Sequence, residues 1–274
     1  MTADHAWKAF TVERMDHVAQ VTLIGPGKGN AMGPDCWAEM PVLFAALDAD
    51  PEVRAIVIVG SGSQFTFGLD LSAMKNNDAA PQGGLARART EFLTKLQRMQ
   101  AAITAVAECR KPVIAAVHGW CIGGGVDLIS AVDIRYASAD ATFSVREVKV
   151  AMVADLGSLA RLPAIIADGH LRELALTGKN IDAARAERIG LVNDVFDTPE
   201  ATLAAAHATA KEIAENPPLV VQGIKNVLDH SRSAGVHDSL RYVAAWNSAF
   251  LPSLDLQEAV SAVFQKRPPV FRGE

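Results

Sequence analysis

Basic charge, paired cysteines and long apolar runs are all missing from this chain of 274 residues. Its formal net charge is −5, which argues against a nucleic-acid-binding protein, because phosphate backbones demand a basic face. Only three cysteines occur, Cys36, Cys109 and Cys121, widely spaced and without a CxxC pair. That excludes a disulfide framework and a zinc ribbon, and it fits a reducing cytoplasm. No uninterrupted apolar run reaches the roughly 18 residues of a membrane span, so no membrane association is expected. The opening MTADHAWKAF has no apolar signal core, and the closing PPVFRGE lacks the SKL peroxisomal address.

Motifs for bound groups are missing too. Gly60-Ser61-Gly62 begins a GxGxxG pattern after an apolar run, but Phe65 occupies the place of the third glycine. GPGKGNAM lacks the GK[ST] ending of a P-loop, and no GxSxG elbow of an α/β-hydrolase occurs. No HExxH and no His/Cys cluster points to a metal. No metal and no bound nucleotide is therefore expected.

What is present is an ordinary globular composition, 50% apolar and 21% charged. The length suits one large domain or two small ones and can bury a sizeable core. Residues 10–14 and 17–23 read as an antiparallel strand pair joined at Met15-Asp16. Residues 25–33 are a loop by composition, and apolar spacing predicts a helix over 37–47 with Pro34 in its first turn. AIVIV at 55–59 reads as a buried parallel strand. A glycine-rich turn at 60–71 follows, then a polar loop over 76–84 and a long helix over 86–108. PVIAAV is the next strand, with short strands at 134–136 and 142–145. Helical patterns follow at 159–167, 171–177 and 183–189, with Gly190 as a cap and a last strand at 191–196. From residue 200 the pattern is helical throughout, over 200–215, 218–229, 238–250 and 255–266. Strands alternating with helices early and helices late make an α/β chain with a helical C-terminal part.

The chemistry concentrates between His118 and Asp155. Gly123, Gly124 and Gly125 follow a strand and precede the helix-like run 126–130. Glycine permits close backbone approach, and amides at a helix start point outward as donors. That suits a negative charge developing on oxygen. The turn around Gly68 has the same grammar, so the amides of Leu69 and Gly124 could converge on one oxygen at the carboxyl ends of two strands. Three acids follow: Asp127, Glu147 and Asp155. Donors for an oxyanion beside acids are the equipment for moving protons next to a carbonyl. Each acid also has a plain structural reading. Asp127 fits a helix start, Glu147 could pair with Arg146 or Lys149 on a solvated face, and Asp155 could be an N-cap. His118 reads as a packing histidine, and Asp70 as part of the turn that aims the Leu69 amide.

Four pieces together resemble the enoyl-CoA hydratase/isomerase (crotonase) superfamily: GNAM at 29–32, GSGSQFTFGLDL at 60–71, KPVIAAVHGWCIGGGVDL at 111–128 and AERIGLVNDVF at 186–196. The likeness covers all but the first few residues. Within the superfamily, FSVREVKVAMVADLGSLARLP at 143–163 and YVAAWN at 242–247 look like the Δ3,5-Δ2,4-dienoyl-CoA isomerases. The usual hydratase pattern has glycine in place of Asp155 and glutamate in place of Asp127. The dienoyl isomerases have aspartate at both positions, and Lys149 departs from the acidic residue expected among them.

The resemblance implies a crotonase-type fold: a spiral of ββα units around two roughly perpendicular sheets over residues 1–199, then a helical trimerisation region over 200–274. It implies homotrimers, commonly paired as hexamers, and an acyl-CoA thioester substrate that itself brings the coenzyme A. It assigns the Leu69 and Gly124 amides to an oxyanion hole. It makes Asp155 the base at the alpha carbon and Glu147 the acid at the far end of the diene, in that order or reversed, with Asp127 setting their charge state. It places coenzyme A near Asn30 and Ala31, with Lys28, Lys266 and Arg267 as basic contacts. Two other functions fit the same residues: a 2-enoyl-CoA hydratase using Asp127 and Glu147, and an acyl-CoA-binding scaffold with little catalysis. Asp155 separates the isomerase from the hydratase, and activity separates both from the scaffold.

Overall fold

The computed structural model describes residues 7–25, 29–72 and 84–274. The chain starts with a hairpin, β1 (Phe10–Met15) and β2 (Val18–Leu23), paired antiparallel. Its two-residue turn is Asp16-His17, one position later than expected, and both residues have positive φ (50° and 65°). That conformation matches the twist of the flanking strands, and aspartate is among the residues that tolerate it.

From β2 onward the chain winds in repeats. Each contributes a strand to a large sheet, a short extended segment to a second layer, and a helix. β2 leads through Met32 to α1 (Pro34–Ala49). β3 (Ala55–Gly60) leads through Thr66 and Leu69 towards α2 (Leu85–Glu108). β4 (Val113–Val117) leads through β5 (Trp120–Ile122) to α3 (Gly124–Ser130). β6 (Ile134–Ser138) leads through β7 (Thr142–Ser144) to a 3-10 turn (Glu147–Val150), α4 (Ser158–Arg161), a second 3-10 turn (Leu162–Ala164) and α5 (Asp168–Thr177). β8 (Ile181–Asp182), α6 (Ala183–Arg188) and β9 (Asp194–Phe196) close the winding. The large sheet runs β1-β2-β3-β4-β6-β9, parallel from β2 onward, and the second runs β5-β7-β8. Parallel bridges Met32–Leu69 and Thr66–Cys121 extend the second layer back through the earlier repeats. This is the ββα spiral expected from the resemblance.

β3 shows why the winding is stable. Ile56 and Ile58 enter the main core, which α1, α2 and α3 cover; Ala55, Val57 and Val59 face the opposite side. A strand covered on both faces reads as an unbroken apolar run, as AIVIV does. The far side is closed by α7 (Pro199–Ala214), whose Ala206, Ala210 and Ala214 lie at four-residue spacing against the sheet. Three helices complete the chain: α8 (Pro218–Ser231), α9 (Val236–Phe250) and α10 (Leu254–Gln265).

Three further expectations change, and two short strands go unforeseen. The three-residue strand β5 and the two-residue β8 are too short to show periodicity in sequence. The helix expected over 159–167 is a four-residue α4 followed by a 3-10 turn, because Pro163 has no amide to continue it. The strand expected over 191–196 starts at Asp194, since the Leu191 amide closes α6 onto Ala186 O. The helix after the glycine triplet begins at Gly124 itself rather than at Val126. The polar loop expected over 76–84 lies almost wholly outside the described residues.

Candidate active site

The two glycine turns meet backbone to backbone. Gly68 has φ +77°, and a Cβ there would collide with Ile122 O and lie 2.8 Å from the Gly124 nitrogen. Glycine is the one residue that permits this approach. In the Met32–Leu69 bridge, the Met32 amide donates to Gly68 O (2.7 Å) and the Asp70 amide to Met32 O (3.1 Å). A parallel bridge uses the Gly68 carbonyl and the Asp70 N–H on either side of Leu69 and turns the Leu69 N–H away. Gly124 is the first residue of α3, where helical amides lack an intrahelical acceptor. Among the described residues, neither the Leu69 nor the Gly124 amide donates to the protein. A Cβ on Gly124 would lie 3.5 Å from the Leu69 nitrogen. Two free donors therefore stand side by side, the arrangement a developing oxyanion needs.

Glu147 lies next to them. Its Oε1 would be 3.5 Å from a Cβ on Gly123, and its Oε2 is buried without a hydrogen-bond partner. Burial pushes its carboxyl up to about 7, and the negative charges of Asp127 and Asp155 push the same way. The pairing with Arg146 or Lys149 does not form: Arg146 donates to Asn180 Oδ1 (2.8 Å) instead. Asp127 is 1% exposed, and its Oδ1 accepts the Ser158 amide at 2.6 Å. Burial raises its carboxyl, while the Ser158 bond and the Arg161 guanidinium oppose the rise. Asp155 presents its side to solvent, yet the desolvation that remains lifts its carboxyl as well. It is not an N-cap; Gly157 precedes α4, and Asp127 on a different helix does the capping. The Asp155 carbonyl accepts Gln100 Nε2 at 2.7 Å.

Other expected residues fall differently. Asn30 is 6% exposed with φ +51°. Its Nδ2 donates to Ser61 O, Gln64 O and Phe65 O, and its Oδ1 accepts Ser61 Oγ. That side chain holds the 60–65 turn; Ala31 beside it is half-buried. Arg267 is held by both oxygens of Glu258, and Lys266 forms the left-handed end of α10. Neither touches the glycine turns. Lys28 lies outside the described residues. His118 is buried with Nε2 3.1 Å from Gly62 O, a packing histidine as expected. Asp70 Oδ1 accepts the amide and hydroxyl of Ser72 (2.9 and 2.6 Å), stiffening the turn after Leu69. Sequence reasoning missed Gln100, Thr104 and Arg161. Their one visible trace was the helical period that puts residues 100 and 104 on one face.

Among the described residues, no group of three or more His, Cys, Asp or Glu side chains could hold a metal ion. No helix among them is long and apolar enough to cross a membrane. Free amides, a half-buried acid pushed up to about 7 and a more exposed second acid are the groups that proton transfer beside a carbonyl requires. Comparison with known proteins agrees with that chemistry. Residues 13–274 match the enoyl-CoA hydratase/isomerase family, and the chain belongs to it. It is 46% identical over 248 residues, 90% of this chain and 89% of the other, to a peroxisomal Δ(3,5)-Δ(2,4)-dienoyl-CoA isomerase of Arabidopsis thaliana. It is 42% identical to the mitochondrial human protein of that name, over 96% of this chain and 81% of the other. A crystal structure of a putative enoyl-CoA hydratase from Streptomyces coelicolor superposes with TM-score 0.89 at 29% identity, covering 100% of this chain and 98% of that one.

Proposed function

We propose that this protein converts 3,5-dienoyl-CoA thioesters to 2,4-dienoyl-CoA. The carrying observation is Glu147: a half-buried carboxyl whose enclosed Oε2 has no hydrogen-bond partner and which burial pushes up to about 7, beside two free amides and with Asp155 as a second acid. The named activity of the relatives supports the reading.

The thioester oxygen accepts the Leu69 and Gly124 amides. Asp155 takes a proton from carbon 2, and the electron pair spreads over the conjugated chain as a dienolate. Glu147, protonated, delivers its proton to carbon 6. The double bonds then lie at carbons 2 and 4, and exchange with water resets both acids. Each oxyanion donor is worth ~3 kcal/mol in the transition state. Burial does most to favour the protonated form of Glu147, and Asp127, fixed by Ser158, adds charge repulsion. The conversion is redox-neutral and moves one proton, so it asks for no metal and no further cofactor.

Coenzyme A would run along the main chain at Asn30 and Ala31, with the Asn30 side chain serving as a scaffold. A homotrimer, single or paired, is part of the proposal. Val220, Ile224 and Leu228 on α8, Phe250 on α9 and Leu251 just beyond it are exposed around an apolar groove of about 470 Å³. A second copy of the chain is its proposed cover, and light scattering on the eluted protein measures the assembly. Three unpaired, buried cysteines support a reducing compartment, for which we propose the cytoplasm.

The deciding assay follows purified protein on 3,5-octadienoyl-CoA and, in parallel, on crotonyl-CoA. Growth of the conjugated 2,4-dienoyl absorbance with little hydration of crotonyl-CoA is the expected result. Rapid hydration without dienoyl product would make it a hydratase.

A further inference from the structure

The turn that carries Asp155 is held from outside by α2. Gln100 donates from Nε2 to the Asp155 carbonyl at 2.7 Å. Four residues later, the Thr104 hydroxyl accepts Arg161 Nη2 at 3.0 Å, and Arg161 Nη1 reaches back to Leu156 O at 3.4 Å. Residues four apart lie on one helix face. Both contacts therefore come from one stripe of α2 and grip one short segment, from Asp155 to Arg161. The stripe is itself fixed, because Ala102, Ile103 and Val106 on the adjoining face are buried in the main core.

The grip has local adaptations. Gly157 has φ +133°, and a Cβ on it would collide with Arg161 Nη1. The guanidinium thus lies flat against the backbone two residues after Asp155. Its charge also faces Asp127. The Glu147 side of the site is tied differently. Its 3-10 turn ends at Ala151 in the left-handed region (φ 58°), and the Met152 amide returns to Glu147 O at 3.0 Å. Residues 153–154 then connect two independently anchored acids.

We infer that Gln100 and the Thr104–Arg161 pair are positioning residues, which fix the Asp155 carboxylate relative to Glu147 through the register of α2. The inference rests on the isomerase reading for its kinetic consequence, though not for its structural one. None of the three side chains handles a proton. They act through the Asp155 main chain, and a small error in the base's placement is costly in rate.

The test compares Gln100→Leu, Thr104→Val and Thr104→Ser with the wild type on 3,5-octadienoyl-CoA, together with hydrogen–deuterium exchange of residues 155–158. Gln100→Leu and Thr104→Val should each lower kcat about 10- to 100-fold with KM within about twofold, because substrate binding is untouched while the base is displaced. Thr104→Ser, which keeps the hydroxyl, should recover most of kcat. Exchange at 155–158 should quicken in the two inactive variants. An unchanged kcat in Gln100→Leu would overturn the inference. So would a fall in kcat that matches loss of folded protein, with residues 155–158 still protected. If the wild type itself is silent on the dienoyl substrate, the isomerase reading fails instead. The latch is then judged on exchange alone: faster exchange in Gln100→Leu upholds it and unchanged exchange overturns it.

Discussion

The Asp127 carboxylate accepts the Ser158 amide at 2.6 Å, so an acid on α3 caps the start of α4. That bond sets the distance between the glycine turn and the segment carrying Asp155. It also leaves a negative charge beside Glu147, which adds to the effect of burial in holding that carboxyl near 7.

Asp127→Asn keeps an oxygen to accept the Ser158 amide but removes the charge. The fold should lose only ~1 kcal/mol, the order of one hydrogen bond weakened from charged to neutral. In the proposed mechanism Glu147 acts in its protonated form, so turnover should fall as pH rises through its pKa. Without the repulsion from Asp127, that pKa drops, and the alkaline limb of kcat should move to lower pH. A pH–rate profile checks the direction; a limb that moves upward or stays in place would contradict the coupling.

Glu147→Gln should abolish turnover and stabilise the protein at alkaline pH. The folded pKa, about 7, is raised above the unfolded one. The folded state therefore binds more protons between the two values, and stability falls as pH rises through that window. The deficit is absent well below the unfolded pKa and complete above the folded one. At pH 8 it amounts to ~3 kcal/mol as an upper bound, and at pH 4 to almost nothing. Urea unfolding of wild type and variant at both values measures it. Equal stability at pH 8 would mean that Oε2 finds a partner in solution.

Much of this was legible in the sequence, for identifiable reasons. The buried parallel strands announced themselves as β-branched runs such as AIVIV, and the late helices by their period. The two free amides proposed as oxyanion donors were legible only through glycine, since backbone amides carry no side-chain sign. What stayed hidden depended on contacts between distant segments. Asn30 lies in a segment read as a loop by composition, and nothing local shows that its side-chain amide turns inward onto three carbonyls. Gln100 and Thr104 lie 55 and 57 positions from the residues they hold, and nothing in local pattern links them. The charge state of the acids was equally out of reach, because burial, its largest cause, is a property of the whole fold.

Gly68 and Gly62 separate close packing from backbone strain. Both have positive φ, +77° and +66°. A Cβ on Gly62 meets nothing within 4 Å, so Gly62→Ala incurs only the left-handed penalty of ~1–2 kcal/mol and should keep its turnover. A Cβ on Gly68 meets Ile122 O and the Gly124 nitrogen. Gly68→Ala must push the two turns apart and should lose at least ~100-fold in kcat, the scale of one misplaced oxyanion donor. Parallel melting curves and initial rates distinguish the two. Equal activities would mean that the turns need not touch for the reaction.

Gly124→Pro removes a single atom of the proposed chemistry. Gly124 is the first residue of α3, the one helical position where proline is well tolerated because its amide has no intrahelical acceptor. The helix should therefore survive, with Met32 Sδ the nearest side-chain atom to yield, 3.3 Å from the new Cβ. The Leu69 amide remains, so the oxyanion loses one of two donors. Turnover should drop by about 100- to 1000-fold, with the acids untouched and the far-ultraviolet spectrum unchanged. Proton exchange at carbon 2 of a saturated acyl-CoA, which needs the enolate but no migration of the diene, should fall by the same factor. A loss confined to dienoyl turnover would place the defect at carbon 6 and remove Gly124 from the oxyanion hole.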